Sequence, residues 1–356
     1  MFKKYNMSWD VEVWRLDSTV TKVIETDFEN IHFKIFPARG NSKFGIYSFK
    51  FIRDLRHLPR NAILNVQNIH GTLLYQILLV SPSHLRITAQ HHGDYHPFFV
   101  LKHSTGVKRI KACLSFLFEN LLFNRIRYFF IIDVDHINYL KKTVKKLEGK
   151  YTIQPVGIDF SNYKEIPKRD ACRELGLNPD KKYLFYLGQY YHIKEVDRLC
   201  EVYKRVKEMD ADVQMFVAGG SPSDIYYKNV IQCGAIDFGK IPNGELYKYY
   251  SAADVYISMV FRPDYFGGIG LAMLEAMACG TPVVCKSLEN IPVNIRQFVG
   301  KMPLDENEMV KDILDILTDT NSYSNCGQYV EGLYDYSVIQ KNTSSIYTNL
   351  IQSIDK

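Results

Sequence analysis

In the second half of the chain, short unbroken apolar runs alternate with longer runs whose apolar positions return every three or four residues. "YLFYLG" at 183–188 reads as a strand. "KEVDRLCEVYKRVKEMD" follows, with Val196, Leu199, Tyr203 and Val206 on one face, and reads as a helix. "VQMFVAGG", "CGAIDFG", "DVYISM" and "TPVVC" are further short strands, while "NGELYKYYSAA" and "GLAMLEAMACG" are helical. Unbroken apolar strands separated by helices predict a parallel sheet covered on both faces. In such sheets a ligand sits at the carboxyl ends of the strands.

The first half follows the same pattern more loosely. "VEVWRL", "IHFKIFP", "AILNVQ", "LRITAQHH" and "RYFFIID" read as strands, and "KFGIYSFKFIRDLRHL" and "VKRIKACLSFLFENLLFN" as helices. Turn formers and charges cluster between Pro155 and Asp170, which marks a hinge. The pattern predicts an α/β chain with two parallel-sheet domains, over 1–162 and 163–335, and a final helix over 336–356 after a break around Tyr334–Tyr336.

Composition narrows the function. The 356 residues, 46% hydrophobic and 23% charged, suit a globular protein of two domains. A net charge of +5 fits an anionic small ligand or a membrane surface and is too weak to indicate nucleic acid. The seven cysteines form no CxxC pair, so neither a zinc site nor a disulfide framework is indicated, and a reducing cytoplasm is expected. The N-terminus has no apolar signal core, and no run approaches the roughly 20 apolar residues of a membrane span. The 25 tyrosines read either as core and surface filler or as contacts to sugars or lipid headgroups.

Four stretches could carry chemistry. Gly267, Gly268 and Gly270 precede a helix, where free N–H groups and the dipole favour a phosphate. Glu275 lies about one turn into that helix. It either accepts hydrogen bonds from vicinal hydroxyls or reaches solvent or a structural partner. Lys194 stands near a helix start, where a lysine is unfavourable unless it meets an anion such as a diphosphate; otherwise it is solvated. In "ITAQHHGDYHP" a strand runs into His91, His92, Gly93, Asp94 and His96. That places either a hydroxyl or phosphate donor, or an ordinary loop histidine, at a strand end; a metal site is the third reading, disfavoured because adjacent His91 and His92 point opposite ways. In "FFIIDVDH", Asp133 and Asp135 follow a strand, either as ligands for a divalent metal or as helix-cap acids.

Taken in order, "LGQYYHIKE", "VAGG", "AADVYISM" and "FGGIGLAMLEAMACGTPVV" resemble the nucleotide-sugar-binding domain of the family-four retaining glycosyltransferases, which have the GT-B fold. The resemblance spans roughly Tyr183 to Val284, with a weaker match through "PVGIDF" and "TAQHHGD". It implies two facing Rossmann-like, doubly wound parallel-sheet domains, with the final helix packing back on the first, and between them a metal-free site for a nucleotide-sugar donor, with no cofactor. Gly188, Gln189, Lys194 and Gly219 would line that site with Gly267, Gly268, Ile269, Gly270, Leu271 and Glu275. Glu275 would bind the ribose and Lys194 the diphosphate, while His92 would lie near the reacting sugar carbon. Asp94, Asp133 and Asp135 become acceptor-side candidates.

Departures from the family pattern are specific. Gln189 stands where the family carries Arg, Glu195 where it carries Gly, and Gly267 where it carries its first acid; Asp264 is a candidate substitute for that acid. The family's first strand and glycine-rich loop are not visible ahead of "WDVEVWRL", so the first domain is expected to be shortened. The expected function is transfer of a sugar, with retention, to a glycan or lipid-linked acceptor. The alternative is a non-catalytic nucleotide-sugar-binding partner subunit. Lys102, Lys108, Arg109, Lys111, Arg125 and Arg127 flank an apolar helix. They read either as a peripheral membrane surface, at the inner face of the membrane, or as solvated ends of a core helix.

Overall fold

The computed structural model describes residues 9–28, 31–41, 45–154, 156–259 and 269–352. The chain forms two compact units, Met1–Pro155 with Gln340–Lys356, and Val156–Ile339.

In the first unit, β1 (Glu12–Asp17), β2 (Ile24–Phe28) and β3 (Ile31–Pro37) make a mixed sheet, with β1 parallel and β2 antiparallel to the central β3. β4 (Arg39–Asn41) and β5 (Gly45–Tyr47) pair antiparallel. Then follow α1 (Phe49–Arg56), β6 (Ile63–Gln67), α2 (Thr72–Val80), β7 (Arg86–Gln90), α3 (Pro97–His103), α4 (Gly106–Leu122), β8 (Ile126–Ile131), α5 (Val134–Thr143) and β9 (Tyr151–Ile153). Strands β6-β7-β8-β9 form a parallel sheet in that order. This sheet begins at β6, and the strands ahead of it pair among themselves.

The helix expected over 43–58 starts late. Gly45–Tyr47 pairs as a strand, and the helix begins only after Ser48, whose hydroxyl accepts from the Phe51 N–H and caps it. Helix α2, "TLLYQILLV", escaped the reading because it is apolar nearly all round and lacks a helical period.

The second unit runs α6 (Lys168–Leu175), β10 (Lys182–Leu187), α7 (Val196–Met209), β11 (Val213–Ala218), α8 (Tyr227–Gln232), β12 (Ile236–Asp237), α9 (Leu246–Ala252), β13 (Val255–Ile257), α10 (Leu271–Ala278), β14 (Val283–Val284), α11 (Val293–Arg296), β15 (Gly300–Lys301), α12 (Glu306–Thr318) and α13 (Cys326–Tyr334). Its sheet has order β12-β11-β10-β13-β14-β15, every pair parallel. This is a doubly wound order. Alternation explains the unbroken apolar runs. Tyr183 and Phe185 enter the core on one face of the sheet, Leu184 and Tyr186 the core on the other. The last helix, α14 (Tyr336–Gln352), leaves the second unit and joins the first from Gln340 onward.

Asp254, the acid of "AADV", is structural. It accepts from Lys168 Nζ at 2.7 and 2.8 Å and from the Tyr183 N–H at 2.6 Å, which ties α6 to the start of β10. Replacing Asp254 with Ala leaves the Tyr183 N–H without its acceptor and the partly buried Lys168 ammonium with the Lys181 carbonyl but no counter-charge. The expected loss is about 2–4 kcal/mol of stability, with a smaller loss for Asp254→Asn. Denaturant unfolding of the three proteins checks the order.

Candidate functional site

The carboxyl ends of β10 and β11 carry the glycines expected to meet a donor. Gly219 has φ +90°, a conformation that excludes most side chains, and a Cβ there would lie 3.1 Å from the Gly188 nitrogen. The Tyr190 ring packs on Gly220 so closely that a Cβ there would sit 2.1 Å from it. Tyr190 is fully buried; its hydroxyl donates to Asp237 at 2.7 Å and its N–H to Asp224 at 3.0 Å. This anchors the stretch from Gly188 to Lys194. Tyr190 was missed in the sequence, although an aromatic two residues past a strand-end glycine was a usable signal.

Lys194 is half-buried on the single 3-10 turn His192–Lys194, just ahead of α7. Gln189 is exposed, and its carbonyl accepts from the Tyr186 hydroxyl at 3.2 Å. Glu195 adopts φ +52°, ψ +40°. The glycine expected by resemblance at this position thus has a backbone reason: the turn into α7 is left-handed. Glu195 holds that conformation while its carboxylate pairs with Arg198, which also pairs with Glu306.

Glu275 is buried in the second turn of α10, whose N-cap is Gly270. Its two oxygens accept from the Tyr163 and Tyr250 hydroxyls, each at 2.7 Å. Burial and the facing carboxylate raise both phenols well above their usual range, so they stay protonated donors. Both tyrosines went unread, because each is far from Glu275 in sequence. The Ile269 side chain is 3% exposed and belongs to the core, so only its backbone is available to a ligand, whereas Leu271 is exposed. Gly267, Gly268 and Asp264 lie outside the described residues.

In the first unit, the carboxyl ends of β7 and β8 gather a second cluster. His92 points outward, its Nε2 donating to Gln67 Oε1 at 2.6 Å, whereas His91 points inward and is fully buried. Asp133 caps α5 by accepting the His136 N–H at 2.8 Å. Asp133 and Asp135 do not converge. Asp135 accepts from His96 Nε2 at 2.8 Å, while Asp133 faces His91 Nδ1 at 3.3 Å and His136 Nδ1 at 3.2 Å. The Asp94 carbonyl accepts from His91 Nε2 at 3.1 Å. Burial and the neighbouring His136 push the His91 imidazole down to about 3, so the ring is neutral. Behind them, fully buried Glu119 accepts from the Tyr75 and Tyr139 hydroxyls and from His70 Nδ1. His70 and Glu119 had no role in the sequence reading.

The described architecture can be set beside known proteins. Residues 168–332 match the family model described as glycosyl transferases group 1. The fold is GT-B. The chain superposes over 97% of its length on 90% of the sucrose-phosphate synthase of Thermosynechococcus elongatus, with a TM-score of 0.68 and 18% identity. It superposes over 90% of its length on 87% of Anabaena HepE in complex with UDP, with a TM-score of 0.66 and 13% identity. In sequence it is 28% identical over 165 residues to the D-inositol 3-phosphate glycosyltransferase of Segniliparus rotundus, covering 44% of this chain and 36% of that one. It is also 28% identical over 164 residues to a putative teichuronic acid biosynthesis glycosyltransferase of Bacillus subtilis, covering 45% of this chain and 39% of that one. The matches thus span well under half the length of these relatives.

The left-handed turn gives a stability prediction. Glu195→Gly and Glu195→Ala both remove the pairing with Arg198, but only glycine also removes the left-handed strain. The glycine variant should therefore be more stable than the alanine variant by about 1–2 kcal/mol, read from paired thermal melts. Equal melting temperatures would show that the turn is not held left-handed.

Proposed function

We propose that this protein is a retaining glycosyltransferase that moves a sugar from a nucleotide-sugar donor to a glycan or lipid-linked acceptor, without a catalytic metal. The observation that carries the reading is Glu275. A buried carboxyl group that accepts from two tyrosine hydroxyls has a fixed orientation. It retains acceptor capacity for the two hydroxyls of a ribose. The group 1 match over 168–332 supports this assignment, as does the likeness in fold to a protein that binds UDP.

The proposed chemistry follows from charge. As the donor's bond to its diphosphate breaks, negative charge grows on the leaving oxygen and positive character on the sugar carbon. Lys194 supplies a fixed cation for the former, and the dipole of the α10 start adds to it. The Gly188 and Gly219 ends let the backbone come close to the phosphates. His92 is assigned to the reacting carbon, and the acceptor hydroxyl attacks from the face the diphosphate leaves. Gln189, in place of an arginine, makes the diphosphate site one cation poorer, and Lys194 correspondingly more important.

The lipid-linked reading of the acceptor is supported by α4. Val107, Ile110, Leu114, Leu117, Phe118 and Leu121 are all exposed and recur at helical spacing. Lys108, Arg109 and Lys111 on the same helix are exposed too. The helix is therefore not a core helix with solvated ends; its apolar stripe and basic end suit an anionic membrane surface. Arg125 leaves the basic set, because its guanidinium donates to the Leu78 and Ser81 carbonyls. No helix among the described residues is long and apolar enough to cross a membrane.

The test is incubation with UDP-, GDP- and ADP-sugars and an acceptor extract, following nucleotide release. Release from one donor, needing no added Mg²⁺ or Mn²⁺, is expected; nucleotide binding without release from any donor would favour a non-catalytic partner subunit. Glu275→Ala should weaken nucleotide binding about 10- to 100-fold. Glu275→Gln, which still offers an acceptor to one tyrosine, guards against loss of fold. Unchanged affinity in both variants would sink the ribose assignment.

Vesicle flotation tests α4. The protein should float with vesicles containing phosphatidylserine and not with neutral ones. Leu117→Ser/Leu121→Ser should lower the bound fraction while thermal stability stays near that of the parent, since both side chains are exposed.

A further inference from the structure

The cluster at the ends of β7 and β8 is over-supplied with acceptors. A carbonyl can only accept, so His91 Nε2, 3.1 Å from the Asp94 carbonyl, carries the proton. Its Nδ1 then presents a bare lone pair. That atom is buried with no hydrogen-bond partner, yet it lies 3.3 Å from Asp133 Oδ2, another acceptor. The same logic runs along the other side. His70 Nδ1 meets the Glu119 carboxylate at 2.9 Å and so carries a proton. The Nε2 of His70 lies 3.1 Å from His136 Nε2, so His136 is tied through His70 to Glu119. His136 Nδ1 is 3.2 Å from Asp133 Oδ2. Two imidazole nitrogens, one of them without a hydrogen-bond partner, therefore converge on one carboxylate, and all three ligand atoms lie within 4.8 Å of one another.

Like charges and lone pairs at this separation repel unless a cation sits among them. We propose that His91, Asp133 and His136 bind a divalent transition-metal ion, zinc by the chemistry of the donor set. Two imidazoles and a carboxylate are zinc ligands, with bonds of about 2.0–2.1 Å that place neighbouring donors of a tetrahedron about 3.3–3.4 Å apart. The nitrogen–oxygen separations of 3.2 and 3.3 Å match that edge. Each ligand imidazole donates its other nitrogen to a fixed acceptor, the Asp94 carbonyl or His70, and His70 in turn rests on Glu119. Such outer partners fix the tautomers a metal requires. The ion joins the loop after β7 to the start of α5 and fixes the turn that carries His92. It is distinct from the donor-site chemistry proposed above: its ligands include neither Lys194 nor Glu275, and Asp135 is turned away to His96.

The experiment uses the full chain without a histidine tag. The chain is stripped with chelator, exposed to zinc chloride, desalted and analysed for metal by mass spectrometry, with cobalt(II) as a spectroscopic probe. About one zinc per chain, a rise in melting temperature with zinc, and the visible bands of tetrahedral cobalt are expected. His91→Asn and His136→Asn should each abolish stoichiometric retention, while His103→Ala, at an exposed histidine remote from the cluster, should keep it. Glu119→Gln should weaken zinc affinity about 10- to 100-fold without abolishing binding. Absence of retained zinc in the parent chain, or equal retention in the His91 and His136 variants, would overturn the proposal. Neither outcome depends on sugar transfer.

Discussion

The second unit turns on one close approach, that of the β11 end to the β10 end. Gly219 must be left-handed and its neighbour Gly220 must lack a side chain, because the Tyr190 ring occupies that space. The ring in turn fixes where the chain leaves β10. Everything downstream inherits that position: the turn bearing Lys194, the left-handed Glu195, and the axis of α7, held to α12 through Arg198 and Glu306. A side chain at Gly220 would displace the aromatic plug and, with it, the only lysine the resemblance places beside a diphosphate.

How much was legible follows from where the information lies. In the second unit, β10, β11, β13 and α7 were readable because these strands are buried on both faces and this helix on one, so local pattern and tertiary role agree. Leu184 and Phe185 report burial equally whichever face they serve. The first unit reads less well because its elements break that agreement. Helix α2 is apolar nearly all round, and α4 exposes the apolar stripe that periodicity would assign to a core. The sites were legible only as halves. Glu275, Lys194 and the cluster around His92 could be found from motif order. Their partners could not, since Tyr163 lies 112 residues from Glu275 and His70 66 residues from His136. His136 itself stood in view, three residues after Asp133, where a helix brings both to one side.

Many of the tyrosines fill the core, as Tyr183, Tyr190 and Tyr203 do, but four of them have a further role. Both units bury a carboxylate and satisfy it with two phenols: Tyr75 and Tyr139 on Glu119, Tyr163 and Tyr250 on Glu275. A buried carboxylate left bare would cost several kcal/mol, and a hydrogen bond to a charged group returns about 1.5–3 kcal/mol. A lysine or arginine could provide the same stabilisation, but it would cancel the charge. A phenol provides it without cancelling anything, and burial beside the acid raises its pKa and keeps it a donor. The acid therefore keeps acceptor capacity for a further partner. In the first unit that partner is visible, because Glu119 also accepts from His70 Nδ1, whose Nε2 meets His136 behind Asp133. In the second unit the same device fixes the orientation of Glu275, which is what the proposed ribose contact requires.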